Sequence, residues 1–69
     1  MVEVFKTNVD RNDLADQLIS RLRVHFPLSR INFDLDDCDK ILRVEDHQVC
    51  IHTIIDLLKT SGFECEALN

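Results

Sequence analysis

The sequence is poor in residues that interrupt regular structure. It holds one glycine and one proline in 69 residues, so long loops and flexible linkers are not expected. The three cysteines, Cys38, Cys50 and Cys65, are odd in number and widely spaced, which argues against a disulfide framework. No apolar run approaches the ~20 residues of a membrane span, and Glu3 and Lys6 interrupt the first stretch too early for a signal peptide. We therefore expect a cytoplasmic protein with free thiols.

Positive charge is also scarce. Eight lysines and arginines stand against 13 acidic residues, which gives a formal charge of -5. Phosphates repel an acidic surface, so the composition argues against nucleic acid and against an anionic membrane surface as partners. The expected partner is another protein with a basic surface, because opposite charges select each other and speed the encounter.

The signatures of catalysis are missing as well. The sequence has no glycine-rich phosphate loop and no Ser-His-Asp pattern. We expect a single domain, residues 1–69, and a chain of this length buries only about 60% of the surface that it exposes when unfolded. Such a domain has little room for a buried pocket of enzyme size. We therefore predict that the protein is not an enzyme.

What the sequence does contain is a regular series of apolar patterns. Two segments have helical spacing and four alternate with polar residues, which predicts the order β-α-β-β-α-β. Asp10 and Asp46 stand where they would cap the two helices. Asp36–Asp39 reads as a hairpin turn, and Gly62 suits the left-handed position after the second helix. The apolar residues of the predicted segments are Val2, Val4, Phe5, Leu14, Ala15, Leu18, Ile19, Leu22, Ile31, Phe33, Leu35, Ile41, Leu42, Val44, Ile51, Ile54, Ile55, Leu58, Phe63, Cys65 and Ala67.

One arrangement buries all of these stripes. Four strands form an antiparallel sheet, strands one and three lie at its centre, and both helices cover one face. The open face would then show mixed polar side chains from strands two and four. The edge strands keep unpaired backbone groups, so we expect a homodimer through an edge or docking to a larger protein partner.

The same segments resemble a known family. The first helix reads "DLADQLISRL", the middle hairpin "RINFDLDDCDKILRV", and the second helix with the last strand "IIDLLKTSGFECEAL". In order and spacing, these segments look like a heavy-metal-associated domain, the fold of copper chaperones and of the N-terminal modules of metal-pumping ATPases. The resemblance covers nearly the whole chain and implies an α+β fold, the ferredoxin-like βαββαβ sandwich.

The metal motif of that family is missing. Such domains usually carry Met-x-Cys-x-x-Cys between the first strand and the first helix. If Thr7 aligns with the residue before the first cysteine, the two cysteine positions hold Asn8 and Arg11. Neither side chain gives a thiolate, whereas Cu(I) needs sulfur and structural zinc takes Cys or His. Arg11 would also place a permanent positive charge where the cation should sit. The resemblance therefore implies the fold, and no cofactor is predicted.

The densest group of alternative ligands is "HQVCIH", residues 47–52. His47 and Cys50 are three residues apart and would share one face of the second helix. His52 lies about 200° from Cys50 around the helix axis, so it cannot join Cys50 at one ion. Two ligands are fewer than the four of a structural zinc site. Two chains related by a two-fold axis would together supply four. In the alternative interpretation none of the three binds a metal ion: His47 lies near the helix cap, Cys50 is a half-buried thiol and His52 is solvated.

The other two cysteines have simpler interpretations. Cys65 alternates in phase with Phe63 and Ala67 and is expected in the core. Cys38 lies among the acids of the hairpin turn, which lacks the glycine and the closing Glu of a calcium loop and is interpreted as solvated. Two hypotheses follow: a non-catalytic interaction or regulatory module without the family's metal site, or a carrier or sensor that holds zinc or copper through unusual Cys and His ligands.

Overall fold

The computed structural model describes residues 1–68 and confirms the predicted order of elements. The elements are β1 (Val2–Thr7), α1 (Asn12–His25), β2 (Arg30–Asp34), β3 (Ile41–Glu45), α2 (Ile51–Thr60) and β4 (Cys65–Leu68). The four strands form one antiparallel sheet in the order β2-β3-β1-β4. Strands β1 and β3 are therefore central, as predicted, and β2 and β4 are the edges. In residues 1–68 no helix has the length and apolar character to cross a membrane.

Both helices bury their predicted stripes against the sheet. In α1 the buried residues are Ala15, Leu18 and Leu22, and in α2 they are Ile54 and Leu58. Because strand side chains alternate between faces, each strand contributes every second residue to this core. The core residues from outside the helices are Phe5, Val9, Ile31, Leu42, Val44 and Cys65. Val9 was not predicted to be in this core, and it belongs to the turn between β1 and α1.

The predicted N-terminal caps are wrong. The first helical bond of α1 runs from the Ala15 N–H to the Arg11 carbonyl, at 3.0 Å, so Arg11 rather than Asp10 is the residue before the helix. Helix α2 begins at Ile51 after Cys50, whereas Asp46 lies in the preceding segment. Neither helix has a side-chain cap hydrogen bond. The Asp46 carboxylate instead accepts hydrogen bonds from the Ser29 hydroxyl and from the His47 N–H, and these bonds lower its pKa.

The C-terminal end of α2 is as predicted. Gly62 has φ of 94°, a left-handed conformation that glycine adopts without a Cβ penalty. The Phe63 N–H donates to the Leu58 carbonyl at 2.9 Å and the Gly62 N–H donates to the Lys59 carbonyl at 3.0 Å, which is the Schellman pattern. The adjoining strand is shorter than predicted, because Phe63 belongs to this cap. Strand β2 likewise ends before Leu35, which lies in the hairpin turn.

Candidate functional site

Three connections meet at one end of the sheet. We call this the turn end and define it as residues 8–13, 35–40 and 61–64. Thr7 connects the turn end to the sheet. It is the last residue of β1, pairs with Cys65 at the start of β4, and donates its N–H to the Asp39 carbonyl at 3.0 Å. The turn between β1 and α1, which the resemblance aligns with the metal turn of the family, therefore lies beside the middle hairpin and the connection that follows α2.

The Thr7 hydroxyl joins two of these connections. It donates to the Lys40 carbonyl at 2.5 Å and accepts from the Val9 N–H at 3.2 Å. Thr7 and Val9 are both buried, with 7% and 0% of their surface exposed. Lys40 has φ of 48°, a conformation that costs a non-glycine residue free energy. The hydroxyl thus holds the backbone on both sides of the turn in fixed positions.

Asn8, the residue that the resemblance aligns with the first cysteine, contacts the connection that follows α2. Its side-chain Oδ1 accepts a hydrogen bond from the Glu64 N–H at 2.8 Å, across 56 residues of sequence. Asn8 is exposed, so this contact lies at the surface of the turn end. The Asn8 side chain therefore links the turn after β1 to the connection before β4.

Arg11, the residue that the resemblance aligns with the second cysteine, is bound by a carboxylate. Its Nε and a terminal nitrogen bond the two oxygens of Asp13, at 3.0 and 2.5 Å, in the two-pronged geometry that guanidinium and carboxylate favour. The hydrogen bond from Arg11 lowers the pKa of the Asp13 carboxyl. Both side chains are exposed, so the pair orders the turn more than it stabilises the fold. A permanent positive charge, paired with Asp13, therefore lies at the start of α1.

The turn end is the acidic part of the molecule. It holds six carboxylates and two basic side chains, a formal charge of -4 of the chain's -5. One of the two bases is engaged with Asp13, and the other, Lys40, donates its ammonium to the Leu35 carbonyl at 2.9 Å. The six acidic residues are Asp10, Asp13, Asp36, Asp37, Asp39 and Glu64.

The structure does not give His47 and Cys50 the shared helix face that was predicted. Cys50 is the residue before α2, and His47 lies outside the helix, so the three-residue spacing has no helical meaning there. The Cys50 thiol is exposed, not half-buried, and accepts a hydrogen bond from the Thr53 hydroxyl at 3.0 Å. That bond lowers the pKa of Cys50. Metal ligation by this pair stays a prediction, now without its geometric basis.

The remaining cysteines differ in accessibility. Cys65 is buried in the core, as predicted, and burial raises the pKa of its thiol to about 11, which makes it a poor ligand. Cys38 is exposed in the hairpin turn, where its sulfur and the carboxylates of Asp37 and Asp39 lie within 4.8 Å of one another. The Asp37 carboxylate accepts the Asp39 N–H at 2.8 Å, so it already organises the turn. Exposed acidic groups of this kind are common without an ion.

Comparison with known proteins confirms the fold. No protein-family profile and no curated protein sequence matches the chain. Six solved chains match it in structure. One is the yeast copper transporter domain CCC2A, solved in its apo and Cu(I)-loaded states, with a TM-score of 0.81, 17% identity, and coverage of 99% of this chain and 94% of that domain. Another is the N-terminal domain of PacS from Synechocystis PCC6803, with a TM-score of 0.69, 13% identity, and coverage of 100% and 98%. At these identities the likeness shows that the chain has the ferredoxin-like fold of such domains.

Proposed function

We propose that this protein is a non-catalytic interaction or regulatory module with a heavy-metal-associated-like fold whose metal turn is held by protein contacts instead of an ion. The observation that carries the proposal is the state of the two substituted positions. Asn8 is bonded to the Glu64 N–H, and Arg11 to the Asp13 carboxylate. Neither side chain is a ligand for a soft cation, and the guanidinium repels one.

The partner that fits this module is a basic protein surface. The turn end carries most of the chain's net negative charge, as counted above. A field of one sign attracts a partner of the opposite sign and raises the rate of encounter. The contacts through Thr7 and Asn8 keep the backbone of this surface ordered, so the partner meets a preformed structure, which lowers the entropy cost of binding.

The test is native mass spectrometry of the reduced protein with Cu(I) and with Zn(II). We expect no stoichiometric complex with the wild-type chain. The double variant Asn8→Cys with Arg11→Cys is the matched positive control, because it creates Cys-x-x-Cys on the same turn and should take up one Cu(I). Any stoichiometric complex of the wild-type chain with either ion would contradict the proposal, and Cys50→Ser would then show whether Cys50 holds the metal.

A second candidate function is the binding of zinc or copper through Cys50. Cys50 favours it, because its thiol is exposed and has a lowered pKa, and the thiolate is the form that binds metal. Two chains would each supply Cys50 and His47 to one ion. In the same experiment this candidate predicts one metal per dimer, lost in Cys50→Ser. Metal uptake that is unchanged in that variant would exclude it.

A further inference from the structure

Edge strand β2 has a sequence that is complementary to itself. It reads Arg30-Ile31-Asn32-Phe33-Asp34, that is, a base, an apolar residue, an amide, an apolar residue and an acid. Read in reverse, the pattern is the same except that the charges exchange signs. An antiparallel partner strand runs in reverse, so a second copy of β2 is a matched partner for the first.

We propose that the protein forms a homodimer in which β2 pairs with β2 of a second copy, antiparallel and centred on Asn32. The dimer then has one continuous eight-stranded sheet with a two-fold axis perpendicular to it, and all helices lie on the same face. This interface is isologous, since the same residues serve on both sides. It goes beyond the proposed function because it uses the β2 edge and not the turn end.

The register places complementary side chains opposite each other on both faces. Arg30 of each copy lies opposite Asp34 of the other, and all three polar residues of β2 are exposed. On the helix-covered face Ile31 lies opposite Phe33 of the second copy, and Phe33 is only partly buried in the single chain. Opposite charges and apolar pairs directly across an antiparallel ladder are both stabilising.

Helix α1 packs above β2 and repeats the same complementarity. The side of α1 that faces α2 carries Arg21 and Val24, which line the groove of about 550 Å³ between the helices. At ~100° per residue, Asp16, Ile19 and Arg23 lie on the opposite side, toward the β2 edge. Asp16 and Arg23 are exposed and Ile19 is half-buried. In the proposed dimer, the two-fold axis brings Asp16 of one α1 helix toward Arg23 of the other.

The other edge lacks this property. Strand β4 carries the exposed residue Glu66, with Glu64 just before the strand. An antiparallel pairing of β4 with itself that is centred on Glu66 would place Glu66 opposite Glu66, and one centred on Cys65 would place Glu64 opposite Glu66. Like charges directly opposite each other are destabilising. Charge thus directs self-association to β2 and away from β4.

Charge exchange on β2 tests the proposal. Sedimentation equilibrium of the wild-type chain from micromolar to millimolar concentration should show a monomer–dimer equilibrium. Arg30→Asp leaves only acids at the two charged positions and Asp34→Arg leaves only bases, so each variant alone should dimerise about 30-fold more weakly. An equimolar mixture of the two variants should restore dimerisation, and native mass spectrometry should show the mixed species. Both positions are exposed, but Arg30 lies opposite Glu45 of β3 in the same chain, so Arg30→Asp also places two acids opposite each other within the monomer. Circular dichroism must therefore show that each variant keeps the fold.

The control is Glu66→Arg, an equivalent reversal on the β4 edge, which should leave the dimerisation constant unchanged. A wild-type chain that stays monomeric at millimolar concentration would overturn the proposal. So would a mixture that fails to recover, or a dimer that responds to Glu66→Arg instead of Arg30→Asp. None of these outcomes bears on metal binding at the turn, so the proposed function is judged separately.

Discussion

The Thr7 hydroxyl offers the sharpest test of how the turn end is held together. Replacing Thr7 with Val keeps the shape of the side chain and removes its hydroxyl. The Lys40 carbonyl then loses its donor and the Val9 N–H loses its acceptor. Both groups lie beside a side chain that is only 7% exposed, so water replaces the lost partner poorly. Lys40 also keeps its left-handed φ of 48° with one contact fewer.

The expected cost is about 2 kcal/mol in the free energy of unfolding. This follows from two hydrogen bonds at roughly 1 kcal/mol each, and a buried group left unpaired costs more than the net value of its bond. For a domain of this size, 2 kcal/mol lowers the melting temperature by about 8 to 16 °C. Urea unfolding followed by circular dichroism measures the free energy, and hydrogen exchange at the Val9 amide reports the local effect. That amide should exchange faster in Thr7→Val.

Thr7→Ser is the matched control, because it keeps the hydroxyl and removes one methyl group. It should cost about 0.8 kcal/mol, the value of one buried methyl. The reasoning fails if Thr7→Val lies within about 0.5 kcal/mol of wild type, which is the range of an ordinary surface substitution. It also fails if Thr7→Ser is the more damaging change, because packing and not hydrogen bonding would then decide the stability of this turn.

Three further predictions concern the end of α2, the alkylation of Cys50 and the burial of Cys65. Gly62→Ala should lower the free energy of unfolding by about 1 kcal/mol, measured by urea unfolding. The cause is the backbone φ of 94°, because no atom lies within 4 Å of an added Cβ. D-alanine introduced at this position by chemical synthesis should cost nothing, and equal costs for both residues would point to a steric clash instead. An alkylating reagent should modify Cys50 faster than Cys65. Thr53→Val should slow the reaction of Cys50, because loss of the Thr53 hydroxyl raises the pKa of that thiol. An unchanged rate would show that Thr53 does not lower the pKa of Cys50. Because Cys65 ionises near pH 11 when folded and near pH 9 when unfolded, stability should fall as pH rises between these values, and Cys65→Ala should weaken that fall.

The fold could be predicted because its determinants are periodic. The leucines of α1 recur at four-residue steps and the strand residues alternate, and both patterns survive in the buried core. The first residues of the helices were predicted less accurately. Asp10 and Asp46 have the right residue type for a cap, yet the first helical carbonyls belong to Arg11 and Cys50. The choice depended on tertiary contacts, such as the Ser29 hydroxyl that engages Asp46.

The candidate site was only half visible in the sequence. Alignment to the motif of the heavy-metal-associated family assigned Asn8 and Arg11 to the two cysteine positions, and that assignment stays a prediction. Their present partners could not be predicted, because the Glu64 N–H is 56 residues from Asn8 and is a backbone group, which carries no sequence signal. Thr7 gave a weak signal that was not used: it is in phase with Phe5 on β1 and should therefore point into the core. A hydroxyl at such a position needs a partner, and that need indicates a hydrogen-bonded turn.

The arrangement of the turn explains how such a fold persists without thiolate ligands at this position. Two thiolates held close together repel each other until a cation neutralises them. At the positions that the resemblance aligns with these cysteines, this chain carries an amide and a guanidinium, and each has a partner within the protein. These contacts hold the turn through protein groups. Under the proposed function, the surrounding carboxylates present their charge on a preformed surface to a basic partner, and a soft metal ion finds no sulfur ligand at Asn8 or Arg11.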